Sequence, residues 1–267
     1  MIERPLLTDE TIISGLKSGF GITVSALSFL PKGADADASV FRAQAENAAY
    51  FIKIKRGHTY DISAAILGLL EGKGVQEIVP PVKTIDGKMF RYVNDYTLVV
   101  YPYVEGLDGF NRHLSDAQWV SFGKALRQVH DLKVPTAIKT QIRHEEYSPK
   151  WRNMVHSLYT RIESQNDSDD WGQKLIKFMI AQSDTIHRLV NQSEQLSYKI
   201  KSSPDDFVLC HSDIHGGNVL LGEADSFFIV DWDDVIMAPK ERDLMFIGAG
   251  VGNVWNKPSE EELFYKG

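Results

Sequence analysis

Val208-Leu-Cys-His-Ser-Asp-Ile-His-Gly-Gly-Asn-Val-Leu-Leu221, followed shortly by Phe227-Phe-Ile-Val-Asp-Trp-Asp-Asp234, is the stretch from which the rest of the chain can be read. It alternates apolar runs with polar punctuation and predicts strand, polar loop, strand, turn, strand. The loop carries His211, Asp213 and Asn218 in the order H-x-D-x-x-x-x-N, and Asp231 ends the next apolar run. Such a set suits phosphoryl transfer from a magnesium nucleotide. A carboxylate takes the proton of the attacking hydroxyl, and an amide with a second carboxylate holds the metal against the phosphates.

Phosphoryl transfer asks the protein mainly for positioning and charge neutralisation. Asp213 is the candidate base, aimed by the rigid end of Phe207-Val-Leu-Cys210. Asn218 offers a hard amide oxygen five positions later, and Asp231 a carboxylate; both suit Mg²⁺, which takes few protein ligands beside substrate phosphates. His211 is expected to organise the loop rather than to move protons. Gly216-Gly217-Asn218 alone would be an ordinary turn. His211 and His215 could be mistaken for a zinc pair, but Cys210 is the only cysteine and no further cluster completes the site.

Working outward, Thr8 to Phe20 has apolar residues at helical spacing, and Ile22 to Leu30 reads as a strand. A turn at 32–38 precedes two short β segments, Ser39–Ala43 and Ala49–Ile54. A helix from Ile62 to Leu70 ends at Gly72, and a hairpin spans Met89–Val93 and Thr97–Tyr103 around Asn94-Asp95. Beyond Gly106 the chain turns helical. Ser115 with Gln118 forms a possible capping box opening a helix to about Leu132, and Ser148-Pro149 starts another. A single helical stretch is predicted from Trp171 to about Ile200, and a last helix from near Lys240 carrying Leu244, Phe246 and Ile247. Asn166-Asp-Ser-Asp-Asp170 reads as a solvated acidic loop. The expected organisation is α+β and bilobal. Residues 1–103 form a β-rich nucleotide-binding lobe, residues 104–267 a mainly helical catalytic and substrate lobe, and a nucleotide sits between them.

Lys53, in Tyr50-Phe-Ile-Lys-Ile-Lys55, is the candidate for the nucleotide phosphates. Phe51, Lys53 and Lys55 share one strand face and Ile52 and Ile54 the other, so Lys55 is the rival. Asp61 in the first turn of the next helix is the expected ion-pair partner of Lys53, ahead of Glu71. The turn at 32–38 is a weak phosphate loop, with one glycine, Gly33, and two acids, Asp35 and Asp37. Leu98-Val-Val-Tyr-Pro-Tyr-Val-Glu-Gly106 looks like a hinge. There the Pro102 carbonyl accepts from, and the Val104 N–H donates to, an adenine edge. An edge strand ending at a proline is the plainer reading.

The chain has 267 residues, 43% of them hydrophobic, enough for sizeable cores. Its net charge of −7 argues against a nucleic-acid partner and suits a cationic small substrate. One cysteine fits a reducing compartment. No basic region precedes an apolar core at the N-terminus, and no run reaches the length of a membrane span, so the expectation is a cytoplasmic protein without a membrane partner.

Tyr50–Lys55, Leu209-Cys-His-Ser-Asp-Ile-His-Gly-Gly-Asn218 and Ile229-Val-Asp-Trp-Asp233 together resemble the aminoglycoside phosphotransferase family, with its protein-kinase-like fold. Tyr147-Ser-Pro-Lys-Trp-Arg152 and the run from Ala238 to Pro258 are similar to family members that phosphorylate the aminocyclitol spectinomycin. The resemblance implies ATP and Mg²⁺ as cofactors, and antibiotic resistance as the outcome. It makes Asp213 the base, Asn218 and Asp231 metal ligands, Lys53 a phosphate holder and Asp243 a buttress of the catalytic loop. A substrate with secondary ammonium groups calls for acidic and aromatic neighbours. Asp233, Asp234 and Trp255 are candidates, against plainer readings as surface acids and a core tryptophan. The family's further C-terminal helices have no counterpart after Phe264-Tyr-Lys-Gly267, so a lobe lacking them and part of the acceptor pocket wall is expected. Two other readings remain: a kinase for another amino-alcohol such as choline or homoserine, and a nucleotide-binding but inactive relative.

Overall fold

The computed structural model describes residues 4–31, 38–58, 61–164, 169–200, 206–223 and 225–267. Residues 32–37 of the expected turn, with Gly33, and most of the acidic loop at 166–170 lie outside them, as does the side chain of Asp61. Two compact units are present, one of residues 1–143 with 208–267 and one of residues 144–207.

In the larger unit, helix α1 (Asp9–Phe20) opens the chain. Thr8 caps it by accepting from the Thr11 N–H, and Gly21 closes it with φ of 69°. Strands β1 (Val24–Leu30), β2 (Ala38–Ala45), β3 (Ala49–Arg56), β4 (Arg91–Val93) and β5 (Tyr96–Pro102) form one antiparallel sheet in the order β1-β2-β3-β5-β4. Period-two alternation sorts their side chains. Ile52 and Ile54 of β3 and Leu98 and Val100 of β5 pack on Ile12, Leu16 and Phe20 of α1. Each such side chain contributes about 1.5–3 kcal/mol of burial. The opposite face carries Phe51, Lys53 and Lys55, with Val99 directly across from Lys53. Helix α2 (Asp61–Gly72) packs Ala64 against Val99 on that face. The hydrophobic pattern therefore leaves the two lysines on the face that receives α2.

After the short strand β6 (Leu107–Asp108), helix α3 (Asp116–His130) begins at the Ser115–Gln118 capping box read from the sequence. It buries Trp119, Phe122, Leu126 and Val129. A one-turn helix α4 (Thr136–Lys139) and β7 (Arg143–His144) end this half. The chain re-enters the unit at β8 (Val208–Cys210), then β9 (Val219–Leu221), β10 (Phe227–Ile229) and β11 (Ile236–Ala238). Strand β9 lies between β10 and β6, and β8 pairs with β11, Cys210 opposite Ile236. The last helix expected near Lys240 is a 3₁₀ segment, Lys240–Phe246, whose Asp243 is wholly buried. The final α-helix, α8, spans Pro258–Lys266 and lies against α3. Phe264 meets Phe122 at 5.3 Å, and a side chain at Gly123 would collide with the Phe264 carbonyl.

The smaller unit is made of α5 (Lys150–Ser164), α6 (Asp170–Ala181) and α7 (Ser183–Ile200). The single helix expected over 171–200 is thus two, parted at Gln182. The Tyr159 hydroxyl donates to the Met179 carbonyl at 3.0 Å, the acceptor a continuous helix would offer to the Ser183 N–H. Ser183 then bonds His187 four residues on, and His187 packs on the Tyr159 ring at 4.5 Å.

Candidate active site

The polar loop after β8 is braced from beneath. Ser212 is left-handed, with φ of 73°, which turns two successive backbone N–H groups the same way. Those of His211 and Ser212 donate to Asp243, at 3.0 and 2.6 Å. His130 at the end of α3 donates its Nε2–H to the same carboxylate at 3.0 Å. Buried at 0% exposure, His211 gives its Nε2–H to the Val230 carbonyl at 2.9 Å and takes the Asp213 N–H on Nδ1 at 3.3 Å. Both ring nitrogens are therefore spoken for, and the imidazole acts as a strut. The Cys210 thiol donates to the Ala238 and Pro239 carbonyls. Burial, and after it Asp243, pushes its pKa well up. His130, Cys210 and Asp243 come close enough to suggest a metal, yet their polar atoms already serve these hydrogen bonds.

Asp213, at the top of this loop, has a half-exposed side chain. Asn218 turns back beneath it and donates Nδ2–H to the Asp213 carbonyl at 2.9 Å and to its carboxylate at 3.3 Å. That arrangement spends the amide nitrogen and leaves the amide oxygen for another partner. His215 accepts the Gly217 N–H on Nδ1, so its proton rests on Nε2, 3.6 Å from the Asp213 carboxylate. The ring stacks on Phe110 at 5.5 Å. Gly216 makes room for this, since a Cβ there would come within 2.9 Å of the Phe110 ring. A hydroxyl brought to Asp213 would meet a carboxylate whose backbone is fixed and whose outer face is open.

The β9–β10 hairpin brings the second acid alongside. Val219 pairs with Ile229, and the Val230 N–H donates to the Asn218 carbonyl at 3.0 Å, so Asp231 follows directly beside Asn218. Asp231 is left-handed, with φ of 65°, and its side chain is 48% exposed. Lys53 reaches its Oδ1 at 2.6 Å and Asp233 Oδ2 at 2.9 Å, and Lys55 reaches Asp233 Oδ2 at 2.8 Å. Both β3 lysines thus belong to the cluster and reach the same oxygen of Asp233. Burial works against the Lys53 charge, but Asp231 and Asp233 outweigh it and raise the pKa. Burial likewise works against ionised Asp233, and Lys53 and Lys55 outweigh it and lower the pKa.

The other sequence-predicted residues fall as follows. Asp61 is the first residue of α2, with its side chain outside the described residues. Pro102 ends β5, and Val104 lies just past the last ladder bond, from the Tyr103 N–H to the Ala49 carbonyl. Trp255 is buried at 3% exposure among Trp119 and Phe122, which makes it core rather than a substrate contact. Asp234 is exposed and paired with Arg143 at 2.9 Å, a surface acid. Asp233 is neither surface acid nor free ligand, because its charge faces the lysines. Sequence reading missed this role and that of His130. Lys53/Lys55 and Asp231/Asp233 share a two-residue spacing, the one signal that could have shown the first. An oxygen pair from Asn218 and Asp231, on adjoining backbone, is the donor chemistry a magnesium ion accepts.

Residues 27–263 match the model of the family described as the phosphotransferase enzyme family, APH. No curated protein sequence matches the chain. Among solved structures, spectinomycin phosphotransferase APH(9)-Ia in complex with ADP and spectinomycin is 44% identical over 98% of this chain and 80% of its own, with a TM-score of 0.91. The AMP-bound complex of the same enzyme is 43% identical over 97% and 80%, with a TM-score of 0.88. An aminoglycoside phosphotransferase from Alicyclobacillus acidocaldarius, at 14% identity over 98% and 77%, shares the fold alone, with a TM-score of 0.67. The mixed helix and sheet architecture with its sheet-rich N-terminal part is the kinase-like fold of these enzymes. The chain belongs to the APH phosphotransferase family and is a phosphotransferase that uses an alcohol group as acceptor.

Proposed function

We propose that this protein transfers the γ-phosphoryl group of ATP, with Mg²⁺, to a hydroxyl of spectinomycin, and so confers resistance to that antibiotic. The observation that carries the reaction type is Asp213, a half-exposed carboxylate on a loop braced by Asp243 and tied to Asn218. Support for the acceptor is the 44% identity to a spectinomycin phosphotransferase over 98% of the chain.

In this reading Asp213 accepts the proton of the attacking hydroxyl as the oxygen–phosphorus bond forms and the bond to the ADP oxygen breaks. Lys53 holds the phosphates, with Asp61 as its expected helical partner. Asn218 and Asp231 would hold Mg²⁺, which supplies neutralisation of charge on the phosphate oxygens. The Pro102 carbonyl and the Val104 N–H would meet the adenine edge; no acceptor among the described residues takes that N–H. Residues 1–103 serve as the nucleotide lobe and residues 104–267 as the catalytic and substrate lobe. The acceptor is a cationic aminocyclitol and not a nucleic acid. No helix among the described residues is long and apolar enough to cross a membrane. A need for ATP places the enzyme in the cytoplasm.

The test is ADP release from Mg-ATP with spectinomycin, kanamycin, choline or homoserine offered in parallel. Release with spectinomycin is expected. Turnover confined to choline or homoserine would make this an amino-alcohol kinase. ATP binding without turnover on any acceptor would make it an inactive relative.

A further inference from the structure

We propose that Asp233 is the positioning residue for the two β3 lysines, and that it remains with Lys53 when phosphate displaces Asp231. This rests on the nucleotide-dependent function proposed above.

The two carboxylates that meet Lys53 are not equivalent. Asp231 is 48% exposed and makes one contact with the ammonium. Asp233 is 11% exposed, and its Oδ2 gathers both Lys53 and Lys55, at 2.9 and 2.8 Å. Its backbone is fastened on both sides. The Ser63 hydroxyl of α2 donates to the Trp232 carbonyl at 2.9 Å on one side, and the Ser212 hydroxyl donates to the Asp234 carbonyl at 2.7 Å on the other. Asp233 thus stands still relative to the lysine face, whereas Asp231 stands at the solvent side.

An incoming phosphate is an anion arriving from solvent. It competes for Lys53 with the carboxylate that water already reaches, because exchanging an exposed ion pair costs little. Breaking the buried pair would strand a charge. Lys53 therefore trades Asp231 for phosphate and keeps Asp233, and Asp231 is released for a ligand role of its own. The second oxygen of Asp233, Oδ1, is buried without a hydrogen-bond partner among the described residues. A carboxylate left in that state is costly for the fold alone. Two fixed ammonium groups, each of which would otherwise keep its rotamer freedom, are what it supplies in return.

The experiment is calorimetric binding of ADP and of adenosine to the full chain, wild type and variants. Asp233→Asn is expected to weaken ADP about tenfold or more while leaving adenosine unchanged, because only the phosphates use the lysines. Asp234→Asn, next in sequence but paired with Arg143, is expected to leave ADP affinity within about twofold. Asp233→Glu should recover most of the loss. In a Lys53→Ala background, adding Asp233→Asn should cost little more, since the two act as a unit. Unchanged ADP affinity in Asp233→Asn would overturn the assignment, and so would equal weakening of ADP and adenosine, the mark of a merely structural residue. Should Asp233→Asn fail to fold, Asp233→Glu and the Lys53→Ala pair of measurements still decide it. Wild-type protein that binds neither ligand would overturn the nucleotide reading itself, whereas tight wild-type ADP binding with an insensitive Asp233→Asn would overturn only this inference.

Discussion

Asp213 stands on a loop fastened from below by hydrogen bonds to a buried carboxylate, whereas Lys53 and Lys55 stand on the strand face that receives α2 and are fastened from across the site by acids. The first arrangement joins neighbours of the loop to Asp243, about thirty residues on, with donors that are mostly backbone N–H groups. The second joins residues 178 positions apart through side-chain charges alone. The difference matters physically. Backbone donors hold one geometry whatever the solvent does, which suits a base that must stay aimed. Ion pairs can exchange partners, which suits a phosphate holder that must let go of one anion to take another.

The contrast can be broken at its strongest point first. Asp213→Ala is expected to lower turnover by about 10² to 10⁴ while nucleotide affinity stays the same. A variant that kept full rate would remove Asp213 from the role of base. Next comes the brace. Asp243→Ala leaves the N–H groups of His211 and Ser212 and the His130 imidazole without their acceptor. The expected loss is about 3–5 kcal/mol of stability, seen as a lower urea midpoint at unchanged slope. An unmoved midpoint would show that the loop stands without its brace.

The smallest expected effect sharpens the other side of the comparison and is read through pH. Lys53 has a pKa above the ordinary 10.5. Its contribution is therefore complete below 10.5 and is lost as pH rises through the higher folded value. Asp233 has a pKa below the ordinary 3.8, so its contribution is complete above 3.8 and is lost as pH falls through the lower folded value. Thermal melts of the wild type should fall off at both ends of this window. Asp233→Asn should flatten the acid side below pH 3.8. An acid limb identical in variant and wild type would show that the carboxylate does not carry that share of stability.

Much of the fold was legible in local pattern. The alternation in Tyr50–Lys55 predicted which face Lys53 takes, and Ser115 with Gln118 predicted the start of α3 by its capping box. The break at Gln182 was not legible, because it depends on a hydroxyl from Tyr159 in another helix. Leu244, Phe246 and Ile247 looked like a helix face, yet the chain there tightens into 3₁₀ turns that place Asp243 under the loop. Within the site, the spacing of His211, Asp213, Asn218 and Asp231 announced a chemistry, since its parts lie on one loop and one hairpin. Asp233, Asp234 and Trp255 carried no such signal. Three polar or aromatic residues near a cleft read alike in sequence, and folding gave them three different fates, lysine anchor, surface acid and core.

Sequence by itself determined most of the elements, the loop that carries Asp213 and the family, because helical and strand periods, caps and short motifs are local properties of the chain. Tertiary structure alone decided which charges meet. Lys53 and Lys55 find Asp233 only because β3 and the β9–β10 hairpin are brought together by α2 and the buried Trp232 turn. Ion-pair energies depend on distance and on exclusion of water, and neither is written in the order of residues.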